Sequence, residues 1–254
     1  KRPVGNALNA IPPNAAYIIE SRYTHETWKK ISETNLMWEA LTGVRFIKAL
    51  NETMLLLDSL YSSHPELQQL FNQRSLFISA HPSVDGNNNS FNFLISFSLT
   101  PAVNDEQIIG LINPILHNLN MTTTSKVYDD AIVYTTVNTP MRSGFSFTVY
   151  RDLFIASSNL LLVEDAVRHV NSGTTAPNPY ALQKVLASAG EKTDANIYIN
   201  YSMLPALASV YVRPLAENYN AVLKNFGQWT ELDINVKPNA LMFNGFTYAT
   251  DSVN

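Results

Sequence analysis

The sequence predicts an α+β fold in which helices pack on a mostly antiparallel sheet. Runs rich in β-branched and aromatic residues mostly follow one another in pairs, as neighbouring antiparallel strands do. Blocks of apolar residues at three- and four-residue spacing separate several of these pairs and indicate helices. Between two of the β-rich runs lies Asp85-Gly86, a dipeptide that favours a tight hairpin turn.

The chain is predicted to begin with one strand followed by helices. The strand is AAYIIES (15–21), an apolar run set off by IPPN. Apolar residues at helical spacing predict one continuous helix over 28–41, which stops at Gly43, and another helix over 47–61. The segment SHPE is a candidate capping box and predicts a short third helix over 63–72.

The middle of the chain is predicted to contain mostly strands. SLFISAHP (75–82) and FNFLISFSL (91–99) are expected to pair as a hairpin. NDEQ (104–107) can cap a helix, which Pro114 should kink or end because proline has no backbone N–H to donate. Three further strands are predicted over 126–137, 145–150 and 153–157.

The last hundred residues are predicted to hold helices, a strand and a closing hairpin that turns at Pro238-Asn239. The expected elements cover 159–172, 180–190, 195–201, 203–226 and 229–249. The strand, helix, strand, strand order of residues 11–100 echoes that of residues 190–250. This echo predicts two related βαββ-like units within one compact domain over residues 1–254.

Composition narrows the classes of function. A net charge of −4 gives no basic field for a phosphate backbone, so no nucleic-acid partner is expected. The chain has no cysteine, which removes disulfides, thiolate zinc sites and cysteine nucleophiles. No stretch approaches the roughly 18 apolar residues of a membrane span. Contact with a membrane is therefore expected only through an anchor outside this sequence. The sequence contains neither a P-loop nor GxGxxG, and no cofactor is predicted.

Four ionisable residues gather on the helix predicted over 159–172: Glu164, Asp165, Arg168 and His169. The apolar stripe of this helix, at i, i+3, i+4 and i+7 spacing, falls on the opposite arc. The pattern predicts a solvated face with acid–base pairs at four-residue spacing, Glu164–Arg168 and Asp165–His169. A catalytic cluster is the alternative.

The segment after His81 resembles a calcium loop in part. Asp85, Asn87 and Asn89 match the first three side-chain ligands of an EF-hand loop. However, the sixth and twelfth positions are serines instead of Gly and Glu, and no helix flanks the loop. A hairpin turn is therefore predicted, and no metal site.

No catalytic residue is predicted. The five histidines are scattered without ligand spacing, and His81, just before Pro82, is expected at the surface. The nucleophile motifs GxSxG and SxxK are absent. A Ser-His-Asp triad assembled from distant residues stays open as an alternative.

Aromatic residues cluster toward the end of the chain. Core or interface packing accounts for most such clusters, but a sugar-binding or peptide-binding platform is the sharper hypothesis. The candidate ligand or partner surface consists of Tyr198, Tyr201, Tyr211, Tyr219 and Trp229.

Four stretches carry a resemblance to a known group: FIASSNLLLVEDAVRHVNSG, NPYALQKVLASAG, DANIYINYSMLP and FGQWTELDINVKPNALMFNGFTY. They resemble an uncharacterised bacterial family, domain-of-unknown-function family 3352, whose members are attached to the cell envelope. The matching positions are Ser157, Glu164, Tyr201, Trp229 and Thr230. The resemblance covers roughly the last hundred residues, and the IPPNAAYIIES start more loosely. It implies an extracytoplasmic domain and transfers no active-site residue.

The function expected from the sequence is a non-catalytic envelope module that contacts an unknown protein or envelope component. One alternative is a glycan- or small-ligand-binding domain that uses the tyrosine-rich region. Another is an envelope hydrolase with a dispersed Ser/His/Asp site. The KRPVGN start without Met, and an end close to the last strand, predict a fragment of a longer polypeptide. It would work outside the cytoplasm, tethered through a segment upstream of residue 1.

Overall fold

The fold is α+β, as predicted, and is built on one antiparallel sheet of ten strands. The computed structural model describes residues 6–43, 45–65, 68, 74–83, 91–99, 105–138, 143–173, 179–206 and 226–249. The strands are β1 (Tyr17–Ser21), β2 (Leu76–Pro82), β3 (Phe91–Ser98), β4 (Thr122–Tyr128), β5 (Ala131–Asn138), β6 (Ser143–Tyr150), β7 (Leu153–Ser157), β8 (Ala195–Asn200), β9 (Trp229–Lys237) and β10 (Ala240–Tyr248). Their order across the sheet is β10-β9-β8-β1-β2-β3-β7-β6-β5-β4, so β10 and β4 are its two edges.

Helices cover both faces of the sheet. They are α1 (Thr24–Thr34), α2 (Trp38–Leu41), α3 (Arg45–Ser63), α4 (Asp105–Asn118), α5 (Leu160–Ser172) and α6 (Pro179–Ser188). We call the face that bears Ile18, Leu94 and Ile155 the upper face. A 3-10 turn at Asn6–Ala10 packs on this face together with α5 and α6, and they enclose the largest core cluster. On the opposite, lower face, apolar side chains of α1, α3 and α4 pack on Ile78 and its neighbours.

Two three-stranded units meet in the sheet through β1 and β8, which pair antiparallel. The first unit is β1-β2-β3 and the second is β8-β9-β10, and each runs outward in chain order. Six residues form one row across the upper face, and each pairs with the next on the neighbouring strand: Leu94, Ser79, Ile18, Tyr198, Glu231 and Phe246. The strand order and register therefore relate the two units by an approximate two-fold axis at the Ile18–Tyr198 pair.

Counting from this axis gives pairs of equivalent positions. Ser79 is equivalent to Glu231, and Leu94 is equivalent to Phe246. The same count aligns Phe91-Asn92 of β3 with Phe243-Asn244 of β10. This Phe-Asn match is not visible in the sequence until the register is known, because the two segments are more than 150 residues apart.

The continuous helix predicted over 28–41 is wrong, because the chain leaves the helix at Asn35. The Asn35 side chain is buried, and its amide donates to the carbonyl oxygens of Lys237 and Ala240 at 2.6 and 3.2 Å. Its Oδ1 accepts from the backbone N–H of Met37. The break thus ties the helical layer to the hairpin between β9 and β10, and this hairpin turns at Pro238-Asn239 as predicted.

The helix predicted to kink or end at Pro114 does not end there, since α4 continues through it to Asn118. A proline in a helix leaves the carbonyl four residues earlier without its donor, here that of Gly110. Both residues are exposed, so water can reach this carbonyl. The buried Ile108 and Ile115 hold the opposite side of the helix against the sheet.

The single strand predicted over 126–137 is two strands, β4 and β5, which pair around a turn at Asp129-Asp130. Asp129 has a φ of 49°, and aspartate is one of the few non-glycine residues that adopt this left-handed region readily. The Tyr150 hydroxyl donates to Asp130 at 2.5 Å and ties the turn to β6.

Several sequence predictions lie partly or wholly outside the described residues. The pairing of β2 with β3 is confirmed, but the turn at Asp85-Gly86 is outside them. So are most of the helices predicted over 63–72 and 203–226. Within the described part of the chain, no helix has the length and apolar character needed to cross a membrane.

Candidate functional site

Ser79, His81 and Asn14 form a hydrogen-bonded set on the upper face of the first unit. Ser79 and His81 are two residues apart on β2, so both side chains point to the same face. The Ser79 hydroxyl oxygen lies 2.8 Å from His81 Nε2, and His81 Nδ1 lies 2.7 Å from Asn14 Oδ1. Asn14 comes from the turn before β1, so the set fastens that turn to the sheet.

The donors and acceptors in this set follow from its chemistry. An amide oxygen can only accept, so His81 Nδ1 carries the proton that is donated to Asn14. Nε2 is then free to accept from the Ser79 hydroxyl. A serine nucleophile, its base and the group that orients the base are connected in the same way in hydrolases. The connection alone would suit acyl transfer.

Burial prevents that chemistry in this structure. Ser79 is 0% exposed and His81 is 1% exposed, so no substrate carbonyl can reach the serine oxygen. Burial also lowers the pKa of His81 to about 3, because the charged imidazolium would lose its hydration. The set is therefore a neutral, satisfied polar network in the core. The prediction that His81 lies at the surface is wrong.

A small apolar cavity of about 20 Å³ lies near this set, under the 3-10 turn. Leu8, Pro12, Ile18, Leu182 and Trp229 are among its lining residues, and Ser79 and His81 are not. This volume corresponds to roughly one water molecule. It is too small for a substrate and is not connected to the serine.

The second unit carries an acidic network on the same face, in which Asn196 and Glu231 are buried and Asp233 is half-buried. The Asn196 amide donates to Glu231 at 3.2 Å and to Asp233 at 2.6 Å, and Asp233 also accepts from the backbone N–H of Gly190 at 2.7 Å. The Tyr198 hydroxyl donates to Glu20 at 2.6 Å. These bonds join β1, β8 and β9 and satisfy carboxylates that would be costly to bury alone.

Three of the five residues of the candidate aromatic surface lie in the described part of the chain, and two of these are buried. Tyr198 and Trp229 are buried on the upper face, because α6 and the 3-10 turn cover it, so they offer no surface to a ligand. Tyr201 is half-buried, and its hydroxyl accepts from Thr230 at 3.0 Å. The other two members, Tyr211 and Tyr219, lie outside the described residues.

The predicted solvated face of α5 is wrong for two of its four residues. Glu164 and His169 are buried, at 7% and 8% exposure. Lys126 of β4 forms an ion pair with Glu164 at 2.5 Å. Burial also lowers the pKa of His169. Arg168 pairs with Asp165, three residues earlier, instead of with Glu164.

The serine at the twelfth position of the calcium-loop match, Ser96, is buried in β3, where its hydroxyl donates to the carbonyl oxygen of Ala7. The acid and amides of that match, Asp85, Asn87 and Asn89, lie outside the described residues. Among the residues that the structure does describe, no three His, Asp or Glu side chains are grouped to hold a metal ion.

Strand β10 is the candidate site that remains accessible. Its outer edge pairs with no strand within the described part of the chain. Its sequence, ALMFNGFTY, has no charged residue and no proline. Met242 and Phe246 are 47% and 46% exposed on the upper face, and Phe243 is 50% exposed on the lower face. Natural edge strands are usually short, charged or covered. β10 has nine residues and no charge, and no described strand covers its outer edge.

Two exposed aromatic residues extend this apolar surface near the end of β10. On the upper face the ring of Tyr180 packs edge-on against Tyr248, with 5.7 Å between the ring centres. Near the same end, Phe226 lies 5.6 Å from the ring of Tyr201. We call β10 with Tyr180 and Phe226 the edge patch.

The sequence contained a signal for the burial of Ser79 and His81. Alternation along β2 places Ser79 and His81 on the same face as Phe77, a core residue, which already argues against an exposed histidine. Nothing in the sequence pointed to Asn14 as their partner. No protein-family model, no curated protein and no solved structure matches the chain, so the resemblance to the envelope family stays a prediction.

Proposed function

We propose that this chain is a non-catalytic interaction module of the cell envelope and that strand β10 is its contact surface. The observation that carries the proposal is the uncharged outer edge of β10, which pairs with no described strand and has three large apolar side chains exposed beside it. Unpaired backbone groups along such an edge form hydrogen bonds with an added strand, and the side chains beside them give specificity.

The first unit supports this proposal, because its equivalent edge is occupied. Strand β3 is equivalent to β10, and its outer edge pairs antiparallel with β7. Leu94 of β3 faces Ser157 of β7 and is fully buried, whereas its equivalent Phe246 is almost half exposed. A strand of a partner protein laid along β10 would complete the second unit as β7 completes the first.

The placement at the cell envelope rests on the resemblance of the last hundred residues to the envelope family. A hydrolase is the weaker candidate, because the serine and histidine that could serve it are sealed in the core. A glycan-binding platform is also weaker, since Tyr198 and Trp229 are buried.

Photo-crosslinking in cells tests the contact surface. A photoreactive phenylalanine analogue is placed at Met242 or Phe246 in the full-length native protein, and at Leu161 as control, because Leu161 is 59% exposed on α5. We expect discrete crosslinked species from the two β10 positions and none from the control. Equal yields from all three positions would contradict β10 as the contact surface.

Cell fractionation of the same cultures tests the location. We expect the protein in the envelope fraction. Recovery in the soluble cytosol would contradict the envelope placement while leaving the contact surface to be judged by the crosslinks.

A further inference from the structure

We propose that the strand laid along β10 is β10 of a second copy of this chain, paired antiparallel about a two-fold axis at Asn244. This inference rests on the proposed function and names its partner. Two copies would then join their sheets edge to edge, each through its second unit.

The register of this pairing follows from symmetry. β10 spans nine residues, Ala240–Tyr248, and Asn244 is the middle one. With Asn244 opposite Asn244 of the second copy, Met242 lies opposite Phe246 and Phe243 lies opposite Gly245. Every such pair occurs twice, as a two-fold interface requires.

The upper-face side chains are complementary in this register. Met242 and Phe246 are both exposed, and each would meet the other type across the interface. A methionine beside an aromatic ring is a favourable cross-strand neighbour. The two Asn244 side chains, also on this face, can bond to each other through their amides.

The lower-face side chains fit as well. Phe243 would lie opposite Gly245, which has no side chain and leaves the space above it to the Phe243 ring. Aromatic residues opposite glycine restore the packing that a bare glycine leaves out. Because β10 has no charged residue, self-pairing brings no like charges together.

The other edge of the sheet fits β10 less well. Strand β4, TTTSKVY, is almost entirely polar along its exposed length, and its Lys126 is held by Glu164. Lysine on an edge strand opposes strand addition. Pairing of β10 with β4 would also repeat without closing and produce fibres, whereas pairing of β10 with itself closes at two copies.

The length of the strand sets the expected strength. Nine residues extend about 30 Å, at about 3.4 Å per residue, and contribute a narrow interface. Interfaces at the small end of the size range are typically weak, so we expect a dissociation constant in the micromolar range.

Sedimentation velocity across a concentration series tests the dimer, and charge exchange tests its register. Met242→Lys and Phe246→Glu should each weaken the dimer about tenfold or more, because each places a charge opposite an apolar side chain. In an equal mixture of the two variants, the new lysine of one chain lies opposite the new glutamate of the other. The mixture should therefore form a mixed dimer within about threefold of the original strength.

Two further proteins serve as controls. The double variant Met242→Lys/Phe246→Glu should dimerise with itself, since both new pairs are then complementary. Leu161→Lys, the same kind of exposed apolar-to-lysine change on α5, should leave the dissociation constant unchanged. Circular dichroism melting of each variant checks that its fold is intact, which the exposure of the changed positions leads us to expect.

The outcomes separate this inference from the proposed function. A chain that stays monomeric at all concentrations, or a dimer that Met242→Lys does not weaken, overturns the self-pairing. Failure of the charge exchange to restore the dimer overturns the Asn244 register. In the cellular experiment, crosslinked species of twice the mass of the full-length protein support self-pairing. Species of other masses that depend on β10 would overturn self-pairing and leave the proposed function standing.

Discussion

The two three-stranded units have the same strand order and register, yet one is enclosed and the other is open. In the first unit, Leu94 is 0% exposed, and in the second its equivalent Phe246 is 46% exposed. Both residues follow a Phe-Asn pair at the same distance along the strand. The difference arises at the outer edge of each unit: β7 pairs with the outer edge of β3, and no described strand pairs with the outer edge of β10. The open edge is thus a matter of context and not of an unusual strand sequence.

The units also differ in the polar groups that lie at equivalent positions of the upper face. The first unit has Ser79 and His81, and the second has Glu231 and Asp233. In each unit an asparagine supplies a hydrogen-bond partner, Asn14 in the first and Asn196 in the second. The same three-stranded arrangement can therefore hold either a neutral or an acidic hydrogen-bond network, provided that each polar group has a hydrogen-bond partner.

The largest expected effect is a loss of stability in acid that originates in the first unit. The pKa of His81 is about 3 in the folded protein and 6.5 is its ordinary value. Between these pH values the unfolded chain binds the additional proton, so the stability contribution is complete above pH 6.5 and is lost as the pH falls toward 3. The difference corresponds to about 5 kcal/mol in the free energy of unfolding. His169, whose pKa burial also lowers, acts in the same direction.

Urea unfolding at a series of pH values between 7 and 4 measures this loss. His81→Gln is the matched variant, because glutamine can keep hydrogen bonds to Ser79 and Asn14 and does not titrate. Its free energy of unfolding should depend less steeply on pH than that of the parent chain. Parallel profiles for the two proteins would show that His81 is already accessible to protons in the folded state.

The next largest effect separates the enclosed strand from the open one. Leu94→Ala should lower the free energy of unfolding by about 2–5 kcal/mol, since it leaves a cavity beneath α5 and the 3-10 turn. Phe246→Ala, at the equivalent position, should cost less than about 1 kcal/mol when measured at sub-micromolar concentration. Equal costs would mean that β10 is covered in the isolated chain, contrary to the comparison of the units.

Much of the fold was predictable from local patterns. Paired β-rich runs correctly indicated an antiparallel sheet, and the closing hairpin was placed at its observed turn. The errors arose where a tertiary contact or a turn residue outweighed periodicity. Asn35 breaks an otherwise continuous helical pattern because its partners are more than 200 residues away, and Asp129 turns a run that looks like one strand.

The candidate sites were less predictable, because their character depends on burial. Glu164 and His169 fall on the polar arc of α5 by spacing, but both are buried, and Lys126 of β4 pairs with Glu164. Tyr198 and Trp229 were candidates for a ligand surface, with core packing as the other interpretation, and they pack in the core. The exposed edge of β10 follows from the sheet order alone, which no local pattern specifies.

The smallest effect concerns one glycine that distinguishes the units. Gly245 of β10 is equivalent to Phe93 of β3, yet a Cβ at Gly245 would overlap the carbonyl oxygen of Glu231 on β9. Gly245→Ala must therefore shift the edge strand, and we expect a loss of about 1–3 kcal/mol in the free energy of unfolding. Gly110→Ala is the matched control, because a Cβ there meets nothing within 4 Å. Alanine is favoured over glycine inside a helix, so this variant should raise the free energy of unfolding by about 0.5–1 kcal/mol. Thermal or urea unfolding of both variants checks the opposite signs. If Gly245→Ala were neutral, β10 would move freely at this position, and the fixed register required for pairing with a second copy would be lost.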